Sequence, residues 1–339
     1  MSWTTYKPRL TRPFAFSILT NIHMNVAHQT KFILDSGDLT EYKKIKDLTE
    51  KNDSTLWGAT TNPSLIAKAA GLTENGKKFS QKEAFDFQKE TILEIVKIVP
   101  GAVSAEVYAD TDTTPEQMIE QGREIATWHE RVVVKLPTTL EGLKARTALR
   151  KDKININNTL VFSQQQIFAI CLHENIMQQK YGPLGDLWPP FISPFVGRLD
   201  DIGIDGMDLI ENGMKIKELF SQTLPSSTLA IWMLEASVRK IEHIKRGILA
   251  QTELITAPAN IYEQWFTLSQ DEKDKVDSIN YASALQTVPY WTPQENLLKI
   301  EDENEFYKAI ESGKLDIHHK LTDKGIVRFV EDWKSILKP

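Results

Sequence analysis

Short apolar or mixed runs alternate along the chain with longer stretches whose apolar residues recur at helical spacing. The runs are 32–35, 55–60, 103–108, 131–136, 157–162, 191–196, 229–234 and 253–256. Their length and residue types predict strands. Between them the periodicity predicts helices over 39–49, 84–98, 115–129, 140–149, 164–178 and 238–246. Thr114 before Pro115, with Gln117 close behind, is a helix start: a cap, then proline in the first turn. Eight strands alternating with helices imply parallel β/α units, and so an α/β protein built as a closed (β/α)8 TIM barrel with extra helices and an N-terminal extension. An open doubly wound sheet is the alternative. Its nucleotide-binding versions lose support, because no G-x-G-x-x-G follows the first run and no P-loop is present.

The second half is less regular. Segments 181–190 and 200–213 read as loops, punctuated by Gly and Pro. Segment 261–307 is long and mixed, with room for extra helices or an outer layer. Residues 316–337 predict a closing amphipathic helix, with Ile326, Phe329, Val330 and Trp333 at helical spacing. The domain division expected is a flexible extension over 1–30 and one catalytic barrel over 31–339. Lys7, Arg9 and Arg12 precede a short apolar stretch at 14–19. That stretch is too short, and lacks the cleavage pattern, for a signal peptide. No apolar run reaches the roughly 18–20 residues of a membrane helix, so no membrane partner is expected.

Composition narrows the picture further. The chain has 339 residues, 41% hydrophobic and 25% charged. A chain of this size buries about three quarters of its unfolded surface and needs no staple. The single cysteine, Cys171, excludes an intrachain disulfide and a Cys-rich zinc site, and points to a reducing, cytoplasmic setting. Flanked by Ile170 and Leu172, it reads as a small core residue. A net charge of −6 argues against general nucleic-acid binding and allows a local anion site. The 7 histidines show no H-E-x-x-H spacing, so no metal is expected, and His318-His319 reads as solvated. No G-x-S-x-G is present.

The polar residues inside the apolar runs carry the candidate chemistry. Barrel strands alternate between an inner face and a helix-covered outer face. In 131–136 the outer set is Val132, Val134 and Leu136, and the inner set is Arg131, Val133 and Lys135. Burial disfavours the charged form of a lysine, and a neutral amine attacks carbonyls to form a Schiff base. Snorkelling to the rim, or pairing with a carboxylate, is the competing reading. Asp35 ends the first run, and Asp38 is the better helix cap. Parity puts Glu106 inward with Ser104, a costly place unless the carboxylate is paired or used. A buried ion-pair network would account for the same three residues. Thr60, Thr61 and Asn62 end the second run, Asn157 and Thr159 share a parity on the fifth, and Ser193 shares one with Phe195 on the sixth. Such uncharged hydrogen-bonding groups suit a polyol. Arg198 and Arg239 follow the sixth and seventh runs, where barrels place phosphate sites.

These residues resemble a known family. Thr60-Thr61-Asn62-Pro63-Ser64-Leu65 and Val134-Lys135-Leu136-Pro137 are similar to transaldolase segments. So are 35–38, 104–107, 156–163, 192–198 and 236–239, in order from about Lys31 to Trp333. The resemblance implies a class I aldolase-type barrel that moves a dihydroxyacetone unit from a ketose phosphate to an aldose phosphate without a cofactor, in the non-oxidative pentose phosphate pathway. It implies Lys135 as Schiff-base former and Asp35 as acid/base at the C4 hydroxyl. Glu106 and Thr159 would hold the water of imine formation and hydrolysis. Asn62, Asn157 and Ser193, with Thr61 and Phe195 beside them, would surround the dihydroxyacetone, and Arg198, Ser237 and Arg239 would bind phosphate. Sugar phosphates are the partners so implied, and a homodimer is left open. Segment 177–190 is longer than in the enterobacterial-type enzymes, and 261–307 aligns poorly.

Two other activities compete. One is an aldolase releasing free dihydroxyacetone, like the related fructose 6-phosphate aldolases. Those resemble this chain but carry Gln at the position of Glu106 and Tyr at the position of Phe195, so both positions favour transfer. The other is a catalytically dead sugar-phosphate binder, which would need a lost Lys, Asp or Glu.

Overall fold

Eight strands hydrogen-bond in chain order and close on themselves. They are β1 (Lys31–Asp35), β2 (Leu56–Thr60), β3 (Val103–Glu106), β4 (Val132–Pro137), β5 (Ile156–Val161), β6 (Phe191–Pro194), β7 (Trp232–Glu235) and β8 (Leu254–Ala257). Each pairs in parallel with the next, and β8 returns to β1 with Lys31 opposite Leu254 and Leu34 opposite Ala257. The computed structural model describes residues 30–73, 78–184, 188–223, 229–277 and 280–339. The expected flexible extension, all but Thr30, therefore lies outside the described residues. The closed, all-parallel sheet with helices between its strands is the (β/α)8 barrel that the pattern predicts, and the open-sheet alternative falls.

The strands are covered on both faces. Every residue of β4 and β5 is buried, which is why the runs read as nearly continuous apolar segments rather than alternating ones. The helices start where side chains can satisfy their free N–H groups. Asp38 caps Leu39–Glu50 by accepting from the Thr40 N–H. Thr114 and Gln117 form a reciprocal capping box at Pro115–Ala126, as do Ser163 and Gln166 at Gln164–Tyr181. Cys171 is fully buried within that second helix.

Several expectations need correction. Arg131 precedes β4 rather than facing its interior; its guanidinium donates to the carbonyls of Val96 and Val99. The seventh strand starts at Trp232, not at 229. Most of 200–213 is helical, because Val196–Asp200 is followed by Gly206–Thr223. Segment 261–307 carries the helices Ala259–Thr267, Gln270–Lys275, Glu295–Leu298 and Glu303–Glu311 and a short 3-10 turn. The first of these is tied to the barrel: the Tyr262 hydroxyl is within 2.8 Å of the Ile33 carbonyl and 2.7 Å of the Ile255 carbonyl, so it bridges β1 and β8. His319 is not merely solvated. Its side chain caps Lys320–Ser335, and its ring stacks on Phe162 at 5.4 Å.

That last helix crosses the C-terminal mouth of the barrel. Thr322 Oγ1 donates to the Leu160 carbonyl at 2.9 Å, and Ser64 hydrogen-bonds to Asp332. The closing helix is thus fastened to β5 on one side and to the start of the helix Pro63–Thr73, after β2, on the other. No helix among the described residues is long and apolar enough to cross a membrane.

Candidate active site

A cavity of about 220 Å3 opens at the C-terminal end of the strands. Asp35, Asn62, Lys135, Thr159, Ser193, Phe195, Arg198, Ser237 and Arg239 line it, together with Thr60, Thr256 and Arg328. Residues far apart in sequence meet here because parallel strands all end at one rim. Thr61, Glu106 and Asn157 do not form the cavity wall. They are buried beside it and hold groups that do.

The floor is built by strand register. Glu106 on β3 stands opposite Lys135 on β4, which stands opposite Asn157 on β5. Lys135 Nζ lies 3.1 Å from Glu106 Oε2 and donates to the Thr61 carbonyl at 2.8 Å. Thr61 is therefore a scaffold residue: its hydroxyl donates to the Ser104 carbonyl while its own carbonyl orients the lysine. Asn157 donates to Ser104 Oγ at 3.1 Å and accepts from Ser193 Oγ at 2.6 Å. Asn62 spends its Oδ1 on the Leu65 N–H, capping the helix Pro63–Thr73. The buried Thr159 hydroxyl has no hydrogen-bond partner among the described residues. A buried polar atom of this kind is costly, and it suits a site that handles water.

Asp35 accepts from Thr60 Oγ1 at 2.7 Å, and Thr60 in turn shares a 2.6 Å hydrogen bond with Thr256. Burial pushes the Asp35 carboxyl above its ordinary range, against the pull of Lys135, the Thr60 hydroxyl and Arg198. Burial likewise pushes Glu106 up, against Lys135. Two proton-accepting carboxyls thus flank one amine, each held where a proton is more welcome than in water.

The opposite wall is cationic. Gly197 packs so tightly that a Cβ there would lie 2.2 Å from the Ser237 carbonyl oxygen and 2.3 Å from Arg239 Cγ. Only glycine lets the loops after β6 and β7 meet this closely, and their meeting brings Arg198 and Arg239 to one wall. Two residues here have left-handed backbones without being glycine: Leu160 with φ 57° and Ser237 with φ 60°. Each costs about 1–3 kcal/mol, a cost concentrated at functional sites. Leu160 lies where β5 shifts register against β6; Ser237 turns the chain from β7 toward Arg239. Burial and the neighbouring charges of Arg328 and Arg239 lower the Arg198 pKa. Three arginines close enough to oppose one another's charge form a ready site for an anion.

Arg328 is the site residue that sequence reasoning missed. It sits on the exposed side of the closing helix, 3.7 Å from Asp332, and nothing in the helical spacing separates it from other surface charges. Its only signal is tertiary.

The transaldolase/fructose-6-phosphate aldolase family matches residues 32–339. A probable transaldolase of Roseiflexus castenholzii is 37% identical over 302 residues, covering 89% of this chain and 96% of the relative. One from Brachyspira hyodysenteriae is 38% identical over 234 residues, covering 69% of this chain and 88% of the relative. With a lysine at the floor of a (β/α)8 barrel between two carboxyls, and a match running nearly end to end, the chain belongs to the transaldolase/fructose-6-phosphate aldolase family.

Proposed function

We propose that this enzyme transfers a dihydroxyacetone unit through a Schiff base on Lys135. The donor is sedoheptulose 7-phosphate or fructose 6-phosphate, and the acceptor is glyceraldehyde 3-phosphate or erythrose 4-phosphate, as in the non-oxidative pentose phosphate pathway. The observation that carries this reading is the placement of Lys135 Nζ 3.1 Å from Glu106 Oε2, on the floor of a cavity that Asp35 also lines.

The steps follow from those positions. The amine must be neutral to attack the ketose carbonyl, and Glu106 is beside it to take the proton. Attack at C2 gives a carbinolamine, which loses water to give the imine. Glu106 returns the proton to the leaving hydroxyl, and the unpaired Thr159 hydroxyl is a partner for that water. Asp35 then takes the proton of the C4 hydroxyl. The C3–C4 bond breaks, its electron pair flows into the protonated imine, and an aldose phosphate departs. The enamine left on Lys135 attacks the aldehyde carbon of the acceptor, and Asp35 returns its proton to the new hydroxyl. Hydrolysis of the imine frees the product ketose. Asn62 and Ser193 are the hydrogen-bonding groups nearest the dihydroxyacetone portion, while Arg198, Ser237 and Arg239 take the phosphate.

The deciding experiment is borohydride reduction in the presence of fructose 6-phosphate, followed by peptide mapping. The expected result is a reduced adduct on Lys135 and none in Lys135→Met. An adduct on another lysine, or none at all, refutes the assignment.

A further inference from the structure

Arg198 differs from the other two arginines of the cavity. Arg239 donates to Asp201 at 3.1 Å, and Arg328 faces Asp332. Among the described residues no oxygen hydrogen-bonds to, or pairs with, the Arg198 guanidinium. Aromatic rings hold it instead. Its Cζ lies 5.3 Å from the Phe195 ring centroid and 5.4 Å from that of Phe329, both within cation–π range. Phe195 comes from the end of β6, and Phe329 from the closing helix. One turn before Phe329, Gly325 leaves space: a Cβ there would lie 2.9 Å from Arg198 Nη1 and 2.6 Å from Leu160 Cδ2.

We propose that Phe329 is a positioning residue for phosphate recognition: with Phe195 it clamps the Arg198 guanidinium between two rings, so that its N–H groups stay uncommitted and aimed at the anion. This rests on the phosphate role assigned to Arg198 above. The logic is electrostatic and entropic. Arg239 and Arg328 repel Arg198 while Glu106 and Asp201 attract it, so the surrounding charges alone do not fix the side chain where the anion is to bind. A carboxylate partner would hold it but would also consume its donors and cancel its charge. Ring faces attract a guanidinium without occupying its N–H groups, so the arginine is held in place and still free to bind. The closing helix thereby completes the phosphate end of the cavity, supplying the Phe329 ring, the Gly325 space and the Arg328 charge.

The test compares Phe329→Leu, Phe329→Met and Phe329→Tyr with wild type. Calorimetry measures the Kd for inorganic phosphate, and initial rates give KM and kcat for fructose 6-phosphate with erythrose 4-phosphate as acceptor. The Leu and Met variants should weaken phosphate and raise the KM for fructose 6-phosphate about three- to tenfold, with the change in kcat smaller than that in KM. The Tyr variant keeps the ring and should return both quantities toward wild type. Met preserves most of the side-chain volume, so a packing defect in the Leu variant does not obscure the result. Unchanged phosphate affinity in both the Leu and Met variants overturns the clamp, as does a Tyr variant as weak as Leu. The two readings can fail separately. If wild type binds phosphate but turns over no ketose phosphate, the proposed reaction falls while the phosphate titrations still decide the clamp. If wild type binds no phosphate, the clamp falls with the phosphate role.

Discussion

Lys135 and Glu106 meet at 3.1 Å in a buried ion pair, and the same ammonium donates to the Thr61 carbonyl at 2.8 Å. A buried ion pair barely offsets its own desolvation, so the contact is weak evidence for a purely stabilising role. A carboxylate this close to the amine is placed to take up and give back its proton. Glu106→Gln removes the proton acceptor and keeps the shape. It should slow imine formation by about 10²-fold or more, the usual contribution of a positioned acid/base group. The check is the rate of borohydride-trapped adduct at saturating fructose 6-phosphate. Trapping at the wild-type rate would make Glu106 a structural counter-ion.

Asp35 acts later in the proposed sequence, so its loss should look different. Asp35→Ala should still yield trapped adduct on Lys135, while release of the aldose falls by about 10²–10⁴-fold. Quenched-flow separation of adduct formation from aldose release distinguishes the two steps. If Asp35→Ala abolishes trapping as well, the carboxyl is needed to build the floor and not only to cleave the bond.

How far the sequence reaches depends on which interactions are local. The eight runs and the inward Lys135 were legible because strand parity and helix period are local signals, and the parallel barrel follows from their alternation. Arg131 misled because it sits one residue outside β4, where the inner-outer alternation does not yet apply. Leu160 shows no sign of its left-handed backbone, since leucine disfavours that conformation and tertiary packing imposes it. Glu235 was invisible for a related reason: ending the seventh run at 234 leaves it outside the strand, where a glutamate looks like surface. In the structure it closes β7 and is fully buried, with neither carboxylate oxygen hydrogen-bonded among the described residues.

Glu235 has a consequence for stability. Burial pushes its carboxyl well above the ordinary value of 4.5, with Arg246 pulling weakly the other way. The folded state therefore holds this proton more tightly than the unfolded chain does. Between the unfolded and folded pKa values the unfolded state has released the proton and the native state has kept it, so stability falls as pH rises above about 4.5. The slope approaches about 1.4 kcal/mol per pH unit from this one group. Glu235→Gln does not titrate, so its stability relative to wild type should grow as pH rises above the ordinary carboxyl range. Urea unfolding of both proteins as pH is raised is the measurement. Asp35 and Glu106 are shifted in the same direction, but they are common to both proteins and cancel in the difference. Parallel stability curves would show that Glu235 is already paired.

The phosphate end can be probed through its backbone. Gly197→Ala forces a Cβ against the Ser237 carbonyl and the Arg239 side chain. The loops after β6 and β7 must then part, and Arg198 and Arg239 can no longer share one anion. The KM for fructose 6-phosphate should rise more than in Arg239→Ala, which loses one charge-assisted contact worth about 1.5–3 kcal/mol, or roughly tenfold or more. Both should weaken inorganic phosphate. A Gly197→Ala protein that binds phosphate like wild type would mean that the two arginines act independently.

In the proposed mechanism the choice between transfer and free release turns on Phe195. Its ring lines the cavity, lies against Phe162 with centroids 5.5 Å apart, and covers Arg198. Once the first aldose leaves, the enamine on Lys135 has two fates: attack on an acceptor aldehyde, or protonation and hydrolysis to free dihydroxyacetone. Protonation needs a donor near the enamine carbon, and an apolar ring offers none. Phe195→Tyr adds a hydroxyl at little change in volume, and a hydroxyl can orient a water as both donor and acceptor. Wild type should accordingly require an acceptor. The variant should release more dihydroxyacetone from fructose 6-phosphate alone and transfer less to erythrose 4-phosphate. The comparison is dihydroxyacetone release without acceptor against transfer with it, for both proteins. Rapid acceptor-independent release by wild type would assign this chain to the aldolase side of its family, because the ring would then have failed to keep the proton from the enamine.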